Sequence, residues 1–293
     1  MKKMLVLSSM VMFYILTIAA SSVFALTTWT GTPNQLAQSL VGPGITIKNI
    51  SYTGASDAIG FFSGGLAAGI GIDKGVVLTN GSISNLNGNS NTSDGITANN
   101  GEPGASFLDA LIPGYYTYDA SILEFDFKSS GSDLYFNYVF GSEEYNEWVG
   151  SQYNDVFGFF LDGTGVNDNI AKLPDGTVVS INNINKNSHS SLYNDNDPSD
   201  NNPPPYPFEY DGFTDVLTAH VTGLTPNTWH HITLAIADAG DHVLDSGVFI
   251  GAGTFSNKPV NTAPEPSTIF LLGLGFIGIT GYYKKQIRKR TII

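Results

Sequence analysis

The sequence predicts an all-β protein, an antiparallel β-sandwich of jelly-roll type, and three observations carry that expectation. Apolar and polar residues alternate with period two through much of the middle of the chain. Gly, Asn, Asp and Ser punctuate those runs at short intervals, as turns require. Helical periodicity is absent there except over Pro33–Leu40.

The elements follow in order. Pro33–Leu40 is the expected helix, with Thr32 placed to cap its start and Pro33 suited to its first position. Ile45–Tyr52 and Gly75–Thr79 are weaker strand candidates. Ile122–Lys128 alternates clearly: Leu123, Phe125 and Phe127 on one side, Glu124, Asp126 and Lys128 on the other. Leu134–Phe140 puts Leu134, Phe136, Tyr138 and Phe140 on one face, and Ser129-Ser130-Gly131-Ser132 between the two runs predicts a hairpin turn. Val156–Leu161 is an apolar run stopped by Asp162-Gly163. Thr177–Ile181, Asp215–Thr222, Trp229–Ala237 and Val248–Phe255 complete the expected strands. Asn80–Gly104 is an Asn/Gly/Ser-rich loop. Asn194–Pro207, NDNDPSDNNPPPYP, can be neither strand nor helix interior.

Composition narrows the function. The 293 residues are 42% hydrophobic and 12% aromatic, enough for a large core, and only 13% charged. There is no cysteine, which excludes disulfides, thiolate catalysis, and cysteine-held zinc or iron–sulfur clusters. The net charge of −13 argues against nucleic acid as a partner. That charge is uneven: residues 26–263 hold six lysines against 25 acids, a formal −19. Of those acids, 19 are Asp, whose short carboxylates suit polar loops and hard cations.

The two ends of the chain differ from the middle. Residues 1–25 read as a secretory signal peptide: Lys2 and Lys3, an apolar stretch from Met4 to Ala20, and Val23-Phe24-Ala25 as a cleavage site. At the other end, a linker (257–266) closes on Pro264-Glu265-Pro266. Ser267–Tyr283 follows without a charge, seventeen residues that would span a thin bilayer at about 1.5 Å per residue. Residues 284–293 carry a basic cluster, which places them in the cytoplasm. Such a tail would hold the exported domain at the inner membrane.

Pro-Glu-Pro, a short Gly/Leu-rich span and a terminal Lys/Arg cluster together resemble the PEP-CTERM sorting signal of Gram-negative bacteria. The resemblance implies processing by an exosortase near Pro264-Glu265-Pro266 and passage to the cell surface or an exopolysaccharide matrix. Inside the chain, FGSEEYNEWVGSQYNDVFGFFLDG (140–163), IADAGDHVLDSGVFIGAG (236–253), Tyr118-Asp119-Ala120 and Tyr210-Asp211-Gly212-Phe213-Thr214 resemble the choice-of-anchor L domain. That resemblance implies a β-rich module, residues 26–256, displayed outside the cell. It implies no agreed activity.

Residue chemistry offers three readings of the acidic motifs. Glu143, Glu144, Asn154, Asp155, Asp238, Asp241 and Asp245 fall at strand ends and in turns, where a curled chain could gather their oxygens around calcium. No EF-hand loop is present, since the candidate from Asp195 has Asp200 where Gly belongs and Tyr206 where Glu belongs. The same carboxylates can instead cap turns by accepting backbone hydrogen bonds. As a third reading, a pair of them could act as acid and nucleophile, or acid and base, in an exported polysaccharide hydrolase. Glu143 and Glu144 are adjacent, so on a strand they face opposite ways, and either would have to pair with Asp155 or Asp238. Tyr145, Trp148 and Tyr153 lie in the same motif, and exposed aromatics beside carboxylates suit stacking on a sugar ring. His230 and His231 alternate on a strand, one packed and one solvated. Gly64, Gly65, Gly69 and Gly71 read as turn glycines. The expectation is a non-enzymatic surface or matrix module that acts structurally or by adhesion, with glycan binding as its specific form.

Overall fold

The computed structural model describes residues 26–88 and 90–260. The expected signal peptide, the Pro264-Glu265-Pro266 motif, the 267–283 span and the basic tail lie outside the described residues. Among those described, no helix is long and apolar enough to cross a membrane.

Among the described residues, twelve strands form two antiparallel sheets. The larger sheet contains β1 (Thr27–Trp29), β3 (Ile59–Ser63), β4 (Lys74–Thr79), β12 (Ser246–Gly251), β6 (Leu134–Ser142), β9 (Gly212–Thr214) and β8 (Tyr193–Asp195) in that order, with β10 (Leu217–Val221) also paired to β6. The smaller sheet runs β2 (Ile45–Thr53), β5 (Thr117–Ser129), β11 (Trp229–Ala239), β7 (Val156–Leu161). The chain therefore changes sheet at each step from β4 to β7, and again from β11 to β12.

The predicted alternation decides which side chains meet between the sheets. Leu123, Phe125 and Phe127 of β5 face Leu134, Phe136, Tyr138 and Phe140 of β6 across the main core. Rings interlock there: Phe136 meets Phe159 edge-on at 5.0 Å, and Phe140 stacks on Phe157 at 4.9 Å. Burying each such ring contributes about 1.5–3 kcal/mol. The outer faces are also covered. Val77, Val139, Phe213 and Phe249 pack under Phe208 and Tyr210 on the large sheet. Ala235, Ala237 and Phe160 pack under Leu108 of the short helix α2 (Ser106–Asp109) on the small one.

Helix α1 (Pro33–Leu40) forms as expected. Thr32 accepts from the Gln35 N–H, and the Gln35 side chain accepts from the Thr32 N–H, a reciprocal cap. Leu36, Ala37 and Leu40 bury its inner face. Gly64, Gly69 and Gly71 occupy the turn before β4 with positive φ, as turn glycines should.

Four local expectations are corrected. Ser129–Ser132 is not a hairpin, because β5 and β6 belong to different sheets; the Ser130 N–H instead bonds the Gly44 carbonyl. Alternation marks a strand but does not choose its partner. Thr177–Ile181 forms no strand: it makes only an isolated bridge from Val178 to Lys172, flanking a turn closed by the Leu173 N–H on the Thr177 carbonyl. β12 stops at Gly251, where the chain turns so that Phe255 drops into the core against Phe125 and Phe127. The Pro-rich segment begins later than expected, since Asn194 and Asp195 are still paired in β8.

Candidate functional site

Four connections meet at one end of the sandwich: β4 to β5, β6 to β7, β8 to β9, and β11 to β12. Register then determines which carboxylates become neighbours. Ser142 pairs with Gly212 on one side and Ser246 on the other. One residue further along each chain, Glu143 stands between Asp211 and Asp245, and its N–H bonds the Asp245 carbonyl at 3.0 Å. Directly opposed residues share a face. The row is thus on the side of Val139 and Phe249, the outer face of the large sheet. It continues to Gly81, where a Cβ would lie 1.7 Å from Oδ2 of Asp245, so glycine is required for the loop to close over that carboxylate.

The small sheet repeats the pattern. The β7–β11 register, which pairs Val156 with Ala237, places Asp155 beside Asp238. The β5–β11 pairing brings Tyr118 opposite Asp238 and Asp119 next to it. Each sheet therefore ends in a row of acids. Glu143 and Glu144 divide between the rows as alternation requires: Glu143 feels Asp211, Glu209 and Asp245, and Glu144 feels Asp155 and Asp241.

Glu143, Glu144, Asp155, Asp211, Asp238 and Asp245 are each at most 3% exposed. Burial dominates their electrostatics, because a charge removed from water is disfavoured unless a partner restores what hydration supplied. It pushes Glu144 up to about 10, Asp211 to about 9 and Asp155 to about 7, with neighbouring carboxylates adding to the shift, and it pushes Asp245 to about 6 against the hydrogen bonds that lower it. Glu143 and Asp238 are raised well above the ordinary range for the same reasons.

Hydrogen bonding separates these acids into two kinds. Asp155 accepts from the Ala239 N–H at 3.0 Å and the Asn80 amide at 2.8 Å. Asp245 accepts from the Ala98 N–H at 3.0 Å, the Thr97 hydroxyl at 3.3 Å and the Asn85 amide at 3.4 Å. Both therefore tie loops to strand ends. Glu143 differs, since neither of its carboxylate oxygens has a hydrogen-bond partner. The Ile96 N–H is near enough to favour its charged form slightly, without reaching hydrogen-bond geometry. One oxygen is likewise unpartnered on each of Glu144, Asp197, Glu209, Asp211 and Asp238. Among the described residues, lysine forms a single carboxylate ion pair, Lys186 with Asp200 at 3.1 Å, and it is exposed.

The remaining expected residues are placed as follows. Asn154 is half-buried, and its amide oxygen accepts from the Asn182 N–H at 3.2 Å. Asp241 is half-buried and accepts from the Val243 N–H at 3.1 Å in the β11–β12 turn. Tyr145 is fully buried, and its hydroxyl donates to the Ile184 carbonyl at 2.7 Å, so the expectation that it contacts a ligand is corrected. Trp148 is 39% exposed and meets the half-buried Tyr153 edge-on at 5.0 Å, and the Tyr153 ring borders the Gly240 turn. His230 is packed and His231 solvated, as alternation predicts.

Sequence reasoning missed Asp119, His242, Asp197, Glu209 and Asp211. Asp119, Asp238 and His242 bring one ligand atom each within 4.8 Å of the others. Asp119 is already satisfied, however, by the Glu102 and Asn100 N–H groups and by His242 Nδ1 at 2.8 Å. The missed aspartates did carry a signal: Asp119 and Asp211 lie in the short motifs quoted above. Separately, a surface groove of about 400 Å³, lined by Asn169, Lys172, Pro174, Thr218 and His220 among others, contains no carboxylate.

Residues 25–256 match the Choice-of-anchor L domain, and residues 262–285 match the PEP-CTERM protein-sorting motif. The sorting motif marks the chain for export and for the cell surface or extracellular space. No curated protein and no solved structure matches the chain.

Proposed function

The chain belongs to the choice-of-anchor L domain family, and from that premise we propose that it is a non-catalytic surface or matrix module that acts structurally and by adhesion. The observation that carries the reading is the joining of this domain to a sorting motif in one chain. An exosortase cuts the tail near Pro264-Glu265-Pro266, after the 267–283 span has held the precursor in the inner membrane of a Gram-negative cell. The product is then released to the surface or to an exopolysaccharide matrix. Strands that alternate between two sheets support a jelly-roll reading, a fold common among lectin domains.

Adhesion is assigned to the Trp148–Tyr153 pair. An exposed indole beside a tyrosine offers a flat apolar face to a sugar ring, with the half-buried Asp241 carboxylate near the same turn as a hydroxyl acceptor. Burial supports the non-catalytic reading: Glu144, Asp155 and Asp238 are each 1% exposed, so a polysaccharide cannot reach them in this conformation.

The full chain, expressed in a host with and without its exosortase, tests delivery. The surface form should lack Leu271–Gly281 by mass spectrometry, and its presence there would refute processing. Purified protein should be retained on extracted exopolysaccharide, and Trp148→Ala should abolish retention. Turnover of a glycosidase substrate panel, lost in Asp155→Asn, would replace the adhesive reading with a hydrolase.

A further inference from the structure

The two acidic rows differ in what remains for a ligand to do. In the outer row and the loop beside it, Glu143 contributes two unpartnered oxygens, Asp211 its Oδ2 and Glu209 its Oε1. Glu143 is 1% exposed and Asp211 is fully buried. The register sets Glu143 directly against Asp211, and Glu209 arrives two residues before Asp211 on the same loop. That loop is itself fixed: the Asn196 side-chain amide donates to the Phe208 and Tyr210 carbonyls at 2.9 and 3.0 Å. From the other side, the Asn91 amide holds Oδ1 of Asp211 at 2.6 Å, which leaves Oδ2 free. Asp197, with one more unpartnered oxygen, lies at the edge of the group.

We propose that Glu143, Asp211 and Glu209 bind one calcium ion between the outer face of the large sheet and the Asn80–Gly104 loop. Three buried or half-buried carboxylates without a cationic side chain stay ionised only beside a charge of opposite sign, and rigid oxygen donors of this type suit a hard cation. Calcium takes six to eight oxygens at 2.3–2.6 Å and accepts irregular arrangements, whereas magnesium demands an octahedron. Asp197, close enough to Asp211 to raise it and with one unpartnered oxygen, is the next carboxylate able to join the shell. The assignment shifts the sequence-based ligand set. Glu143 stays, Asp211 and Glu209 join it, and Asp155 and Asp245 serve as loop ties. Among the described residues the Asp119–Asp238–His242 group alone brings three such ligand atoms within 4.8 Å of one another, but both Asp119 oxygens already accept hydrogen bonds and the imidazole favours transition metals, whereas the unpartnered outer carboxylates would draw together on the ion as it binds.

The test uses the full chain, stripped with chelator and returned to chelator-free buffer. Equilibrium dialysis against radiolabelled calcium should find one ion per chain. Glu143→Gln and Asp211→Asn should each weaken binding at least tenfold, and Asp57→Asn, at an exposed site, should not. Near-ultraviolet dichroism reports whether each variant folds. If Glu143→Gln does not, Glu209→Gln, at the half-buried rim, carries the same expectation. Absence of calcium binding would overturn the proposal, as would magnesium binding as tightly. Undiminished binding in Glu143→Gln or Glu209→Gln would overturn it too. Loss confined to Asp238→Asn would move the ion to the inner row and contradict this site.

Discussion

Asp155 and Glu143 are both about 1% exposed, both at the same end of the sandwich, and both next to other carboxylates. They differ in their partners. Asp155 has a backbone N–H on one oxygen and an asparagine amide on the other, while Glu143 has no partner on either. Burial and charge alone therefore do not tell a structural carboxylate from a ligand. The hydrogen-bond inventory does, because a satisfied acid holds two chain segments together and an unsatisfied one needs something further to neutralise it.

Mutation should separate the two in kind. Asp155→Ala strands the buried Asn80 amide and the Ala239 N–H, and an unmet buried donor costs about 1–3 kcal/mol. A loss of about 2–4 kcal/mol is expected in urea melts, equal with and without calcium. Glu143→Gln should behave in the opposite way. It removes an uncompensated acid, so metal-free stability should hold or rise by about 1 kcal/mol, while the calcium-dependent part, about 2.7 kcal/mol at a hundredfold excess over Kd, should vanish. A calcium-independent loss in Glu143→Gln would erase the distinction.

Smaller effects sharpen the contrast between the buried acids and the surface. Trp148→Ala should leave stability within about 0.5 kcal/mol while removing retention on exopolysaccharide, since the ring is exposed. His231 provides a satisfied surface pair for comparison. Burial pulls its imidazole down, but hydrogen bonds to Asp126 at 2.9 Å and Glu124 at 3.5 Å outweigh that and raise it. A raised histidine stabilises fully below its unfolded pKa, near 6.5, and the gain is lost as pH rises through the folded value. His231→Asn should thus flatten the stability slope just above neutrality, by no more than a few tenths of a kcal/mol after solvent screening. An unchanged slope would place the histidine outside that balance.

How much of this was legible beforehand depends on range. Leu123, Phe125 and Phe127 announce β5 because alternation is local. β1 and β3 gave no such signal, since Thr27–Trp29 is too short to alternate and Ile59–Ser63 is apolar with a glycine inside. Pairing is not local, and so Ser129–Ser132 reads as a hairpin while the chain in fact crosses between sheets. The acidic end shows the same limit. The opposite facing of Glu143 and Glu144 follows from neighbouring positions, whereas Asp211 reaches Glu143 only through the β6–β9 register, 68 residues along the chain. Trp148 kept its expected exposure, but Tyr145, three residues earlier, is buried by tertiary packing against Tyr193.

The most direct test of the central claim is a thermal melt of the metal-stripped full chain, with and without calcium, beside Glu143→Gln. A hundredfold excess of calcium over Kd should raise the midpoint by about 5–10 °C for a domain of this size, and the variant should show no rise. Equal midpoints in calcium and in chelator for the unaltered chain would contradict the account and leave Glu143 a buried, protonated acid.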